Sequence, residues 1–174
     1  MNEVLKAVKE RRSIRKFKPD LPPKEMLDQI IEAGLYAASA RGEQDPIILA
    51  ITNKEARDKL SHDNGTVMGR SGGDPFYGAP AVLVVLAPKA WPHRVYDGSL
   101  VMGNMLLAAH SLGLGSIWIH RAKEEFETDY YKDLLKGLGI EGEWEGIGHC
   151  CVGWMDCELP EAAPRKENRV YWIG

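Results

Sequence analysis

Cysteine is scarce: three residues in 174, all late in the chain, at Cys150, Cys151 and Cys157. Two are adjacent and no CxxC pair exists, so a disulfide scaffold is excluded. A reducing, cytoplasmic setting fits that usage. Also missing is any run of about 18 apolar residues, so no membrane-spanning helix is expected. The opening MNEVLKAVKERR lacks the apolar core of a signal peptide. Nor is there a surplus of positive charge. Lysine and arginine number 22 against 25 acidic residues, for a net charge of -3 and a pI near 6.0. That balance argues against a nucleic-acid partner. No GxxxxGK[ST] phosphate loop occurs. His62, His93, His110, His120 and His149 match no zinc spacing, and no metal is expected.

What remains is ordinary for a soluble globular protein, with 44% hydrophobic and 27% charged residues. The length suits a single domain, 1–174, with a substantial core. Residues 2–10 space Val4, Leu5 and Val8 as one helical face. LPPKEMLDQIIEAGLYAASA predicts a strong helix with its prolines at the start, where a missing N–H costs little. A strand is expected at 47–52, then a helix over NKEARDKLSH capped by Asn53. NGTVMGRSGGDPFYGAP reads as a long loop, and long loops in compact domains are often functional. AVLVVLA at 81–87 predicts a buried strand. DGSLVMGNMLLAAHSLGLG predicts a helix apolar nearly all round, which suits a core or an interface. SIWI, one or two helices over 124–138, the strand GIGHCCVGW and a final strand in NRVYWIG complete the order. The class is α+β with about five short strands. A terminal strand without a local partner suggests exchange between subunits.

Several short motifs carry little. SIRK matches SxxK of serine acyl-enzymes, without the companion motifs. The glycines of GLGS end a helix and precede a strand, the reverse of a dinucleotide-binding turn. In HCC, alternation along a strand would put His149 and Cys151 on one face, and two ligands do not make a metal site.

The basic run KERRSIRKFKPD says more. Six of the ten residues from Lys9 to Lys18 are basic: Lys9, Arg11, Arg12, Arg15, Lys16 and Lys18. Cations suit a helix C-terminus, which accounts for Lys9, Lys16 and Lys18 as solvated background. Arginine forks also match phosphate oxygens. If Ser13–Phe17 is extended, Ser13 and Arg15 point to the same side, about 7 Å apart. That side suits an anion with a phosphate at one end and an electron-rich group further in.

RRSIRKFKPD followed by LPPKEMLDQIIEAGLYAASA resembles the opening of the FMN-dependent nitroreductase family. SARGEQDP resembles its Ser-x-x-Asn-x-Gln-Pro segment. DGSLVMGNMLLAAHSLGLGSIWI resembles its long buried helix and next strand, HCCVGW a later strand, and PRKENRVYWIG its C-terminal tail. The resemblance spans nearly the whole chain. It implies a mixed, mostly antiparallel sheet flanked by helices. It also implies an intertwined homodimer with an exchanged C-terminal strand and one FMN at each subunit interface.

By resemblance, Arg11 and Ser13 hold the phosphate or ribityl chain, and Arg12 adds backbone and some charge. Arg15 lies near flavin N1 and the C2 carbonyl, where a fixed cation favours reduction. Gln44 and Asn64 suit the pyrimidine edge. Trp118, Ile119, His120 and Arg121 form the segment approaching N5 and O4. Arg165, with Lys166, closes on the phosphate.

The implied activity passes hydride from NADH or NADPH through FMN to a small electron-poor acceptor, a nitroaromatic or quinone, by ping-pong exchange. Flavin N5 does the chemistry, with His120 the candidate proton donor. The alternatives are another FMN-dependent redox reaction, such as dehalogenation or dehydrogenation, or a non-enzymatic FMN-binding redox partner. Gly42, Asp45, His120 and Arg121 depart from the family's pattern at positions that bear on substrate. Cover for the site would come from GRSGGDPFYGAP and residues 91–96, with Trp91, Phe76 and Tyr77 as candidate pocket liners.

Overall fold

The computed structural model describes residues 1–70 and 72–174; Ser71, inside the stretch read as a loop, lies outside the described residues. Its centre is β2 (Ala81–Pro88), whose residues are buried except the last. An unbroken apolar run of alanine, valine and leucine suits a strand covered on both faces. β2 pairs antiparallel with β1 (Ile47–Ile51) and with β4 (Trp144–Gly153), and β4 pairs antiparallel with β3 (Gly115–Ile119). The order β1-β2-β4-β3 leaves β3 at an edge.

Side-chain alternation splits the core in two. On one face Val82, Val84, Leu86 and Cys151 meet Leu60 of α3 (Lys54–Val67), Phe126 of α5 (Ala122–Phe126) and Leu135 of α6 (Asp129–Gly137). On the other, Leu83, Val85 and Cys150 meet Leu27 and Ile30 of α2 (Lys24–Leu35) and Met102 and Met105 of α4 (Arg94–Ser111). The two neighbouring thiols therefore point to opposite layers. Burial pushes Cys150 up to about 12 and Cys151 well above its usual range, so both behave as small apolar side chains.

Two expectations change. α3 continues to Val67, through residues read as loop, because its far end is buried at Asn64 and Gly65. The sheet has four strands among the described residues, and NRVYWIG forms none. With no partner within the chain, its Tyr171 and Trp172 stay 80% and 93% exposed. The expected N-terminal helix is present as α1 (Glu3–Glu10), amphipathic and capped by Asn2, and it buries no residue.

Glycine sets how closely α5 and Trp118 approach the sheet. A Cβ at Gly146 would lie 2.2 Å from the Ala122 carbonyl oxygen, and one at Gly148 would lie 2.3 Å from Trp118 Nε1. Backbone cannot yield as a flexible side chain does. Gly146→Ala is therefore expected to destabilise the fold by about 1–3 kcal/mol or more, read by urea denaturation. An unchanged midpoint would contradict this packing.

Candidate functional site

Helix α1 ends at Arg11, whose N–H donates to the Ala7 carbonyl at 2.9 Å. The chain then docks on the open edge of β3. Ser13 bridges Ser116 in parallel, and Ile14 N–H donates to Ser116 O at 3.0 Å. Ile14 is 1% exposed and plugs the core, while Arg15 is exposed. Anchoring Ile14 inward turns Ser13 and Arg15 outward, as the alternation predicts.

A cleft of about 870 Å³ opens there, with Arg11, Arg12, Ser13 and Arg15 on one wall and Pro160–Arg165 on the other. Arg12 Nη1 donates to the carbonyls of Lys9 and Arg11, both at 2.7 Å. Arg11 Nη1 and Arg12 Nε are buried without a partner. Among the described residues, none of Arg11, Arg12, Arg15 and Arg165 pairs with a carboxylate. Buried, unmatched guanidinium donors call for an anion with several acceptor oxygens. Lys166 follows Arg165 in the exposed tail, outside the lining.

Strand β3 runs from this cleft to the second group of expected residues. Trp118 and Ile119 are half-buried, His120 and Arg121 are exposed, and the Trp118 and His120 rings lie 5.8 Å apart. Arg121 sits at φ 82. Gln44 is elsewhere in the chain. At φ 58, it borders a smaller hollow of about 180 Å³ beside Ser39, Pro46 and Asp97. One chain therefore joins the phosphate-type groups to β3 but leaves Gln44 apart.

The nitroreductase family model matches residues 8–69 and 63–154. The chain belongs to the nitroreductase family. An NADH dehydrogenase/NAD(P)H nitroreductase of Methanothermobacter thermautotrophicus is 34% identical over 125 residues, 67% of this chain and 60% of the relative's own length. The fold matches a nitroreductase with bound FMN from Bacteroides fragilis at TM-score 0.90 and 24% identity, over all of both chains. A second, also with bound FMN, from Desulfitobacterium hafniense, matches at TM-score 0.86 and 26% identity, again over all of both.

Within this nitroreductase-family fold two expected ligand contacts move inside. Asn64 is 0% exposed. Its Nδ2 donates to His120 O at 2.8 Å and Glu125 Oε2 at 3.1 Å, so the side chain ties α3 to the end of β3 and does not face a ligand. Phe76 is 0% exposed and belongs to the core, not to a pocket wall. Trp91 is half-buried, and its indole donates to Asp97 Oδ2 at 2.7 Å.

Asp97 itself carried no sequence signal as a site organiser. It is 3% exposed, and its other oxygen accepts from Ala40 N–H at 2.9 Å, pinning the SARGEQ loop to the Trp91 loop. Asp74 does the same for the glycine-rich stretch. It accepts from Arg57 Nη2, from Ser61 Oγ at 2.6 Å, and from the N–H groups of Phe76 and Gly78 at 2.9 and 2.7 Å. The Asp-Pro-x-x-Gly order is the available clue, since Asp side chains accept from backbone a few residues on.

Burial tends to raise the Asp74 carboxyl, but Arg57, Ser61 and the two N–H groups outweigh it and hold it below its ordinary 3.8. A depressed carboxyl stabilises the fold above the unfolded-state pKa and loses that contribution as pH falls through the folded value. Stability is expected to drop below about pH 4, and Asp74→Asn should flatten that part of the pH–stability curve. An unchanged acid limb in the variant would contradict the assignment.

Proposed function

We propose that this chain is an FMN-dependent oxidoreductase that takes electrons from NADH or NADPH and passes them to a small electron-poor acceptor of the nitroaromatic or quinone class. The observation that carries the reading is the cleft where the buried, unpaired Arg11 Nη1 and Arg12 Nε stand beside Ser13, Arg15 and Arg165. These groups fit FMN: a dianionic phosphate answers the unpaired guanidinium donors. FMN, when bound, supplies a carrier that accepts two electrons from one molecule and yields them to another.

The chain's own residues bind and orient. Arg11, Ser13 and Arg165 are suited to the phosphate, with Arg12 adding charge and Lys166 reinforcing the tail's. Arg15, two residues on from Ser13 along an extended segment, puts a fixed cation further along the cleft, and a cation there favours electron uptake. Trp118, Ile119, His120 and Arg121 at the end of β3 offer backbone and aromatic surface to the reducible end. His120 is exposed in that segment and is the candidate proton donor.

The working form is a homodimer. Val4, Leu5 and Val8 on α1, Leu100 on α4 and Val170–Ile173 in the tail are large apolar side chains left at least half exposed in one chain. Apolar exposure on this scale marks an interaction surface. A second subunit gives the tail a sheet edge to join, and lets Gln44 of one subunit approach the cleft of the other. Three unpaired thiols suit a reducing compartment, such as the cytoplasm. Among the described residues, no helix is long and apolar enough to cross a membrane.

Stopped-flow mixing of the FMN-loaded protein with NADH or NADPH tests the reading. Rapid bleaching of the oxidised flavin band is expected, followed by its recovery on adding a quinone. Flavin that dithionite reduces but neither nicotinamide does would overturn the donor assignment.

A further inference from the structure

Behind the end of β3 lies a buried polar circuit that the activity above does not use. Asn64 on α3, Glu125 on α5 and His149 on β4 are 0%, 1% and 0% exposed. His149 Nδ1 is 3.1 Å from Ile119 O. A carbonyl only accepts, so Nδ1 carries a proton and donates. His149 Nε2 lies 2.9 Å from Glu125 Oε2. That oxygen accepts from Asn64 Nδ2 at 3.1 Å, and Asn64 Nδ2 also donates to His120 O at 2.8 Å. The path runs from one carbonyl, through three interior side chains on three elements, to the next carbonyl along the chain.

As stabilisation this is a poor use of core volume. Burying ionisable groups carries a desolvation cost that their attraction must first offset, and apolar packing often does as well. Glu125 Oε1, Asn64 Oδ1 and, despite its closeness to Glu125, His149 Nε2 stay buried without a hydrogen-bond partner among the described residues, which adds to the cost. What the circuit secures is local. It fixes two successive peptide groups, and the next residue, Arg121, adopts φ 82, unfavourable for a non-glycine. Such backbone persists where its surroundings over-determine it, and it gathers at functional sites.

We propose that Asn64, Glu125 and His149 are positioning residues that lock the Ile119–Arg121 backbone in the orientation it presents to the reducible end of the cofactor, and so tune its reduction. This rests on the proposed function, in which that segment meets the flavin.

The test compares wild type, Asn64→Leu, His149→Gln and Glu125→Gln by two readouts: the reduced-to-oxidised flavin ratio at fixed ambient potential, and amide hydrogen exchange at His120 and Arg121 without flavin. Asn64→Leu and His149→Gln each break one carbonyl's tether. Each is expected to move the ratio at least tenfold, about 30 mV for a two-electron couple, and to speed exchange at both amides. Glu125→Gln keeps the shape and leaves both carbonyl contacts in place, its amide oxygen still able to accept from Asn64 Nδ2, so it should stay near wild type in both. Wild-type ratio and exchange in Asn64→Leu or His149→Gln, with only the melting temperature lowered, would overturn the proposal and leave the circuit as packing. A variant too unstable to hold flavin is judged by exchange alone, where unchanged protection at both amides overturns it. Wild type that binds no FMN would instead overturn the functional reading itself.

Discussion

Docking of the N-terminal segment on the open edge of β3 governs the rest of the site. Ile14 N–H donates to Ser116 O, and the Ile14 side chain fills the core below. A Cβ at Gly115 would come within 3.0 Å of Ile14 Cγ1, so the strand's glycine is what lets the segment lie so close. With Ile14 held inward, its neighbours turn outward, and Arg11, Arg12, Ser13 and Arg15 gather along one wall. The same strand ends three residues beyond Ser116 at Ile119, with His120 next. Phosphate-type groups and the segment assigned to the reducible ring are thus mounted on one rigid element.

Two further constraints keep that strand end in place. Gly148 leaves room for the Trp118 indole against β4, and the Asn64–Glu125–His149 circuit holds the carbonyls beyond it. The loops around the hollows are fixed by single buried or half-buried carboxylates, Asp97 for one and Asp74 for the other. Recognition surfaces are in this way built from loops whose shape is set by interior charge, while the sheet supplies rigidity. Binding groups on a rigid scaffold lose less orientation than groups on free loops.

Much of this was legible in the sequence where local pattern decides. The apolar run at β2, the proline-led start before α2 and the alternation of Ser13, Ile14 and Arg15 each follow from side-chain period. Legibility failed where distant contacts decide. The end of α3 carries Asn64, Gly65, Thr66 and Val67, weak helix formers. The helix continues because Asn64 is engaged by residues some 60 positions on. Glu125 and His149 share no motif spacing, so only the fold reveals the pair. NRVYWIG has strand composition, yet strands need a partner, and the single chain provides none. Gln44, likewise, stands apart from the arginines within one chain, and only the proposed second subunit would bring such a residue to the cleft.

The central claim is that the unpaired guanidiniums of the N-terminal cleft hold the phosphate of a flavin. Calorimetric titration of flavin-free protein with FMN and with riboflavin, which lacks the phosphate, tests it most directly. A charge-assisted contact is worth roughly 1.5–3 kcal/mol, so FMN should bind at least tenfold more tightly than riboflavin, and Arg11→Ala should narrow that gap. Equal affinity for the two flavins, or a gap untouched by Arg11→Ala, would contradict the account.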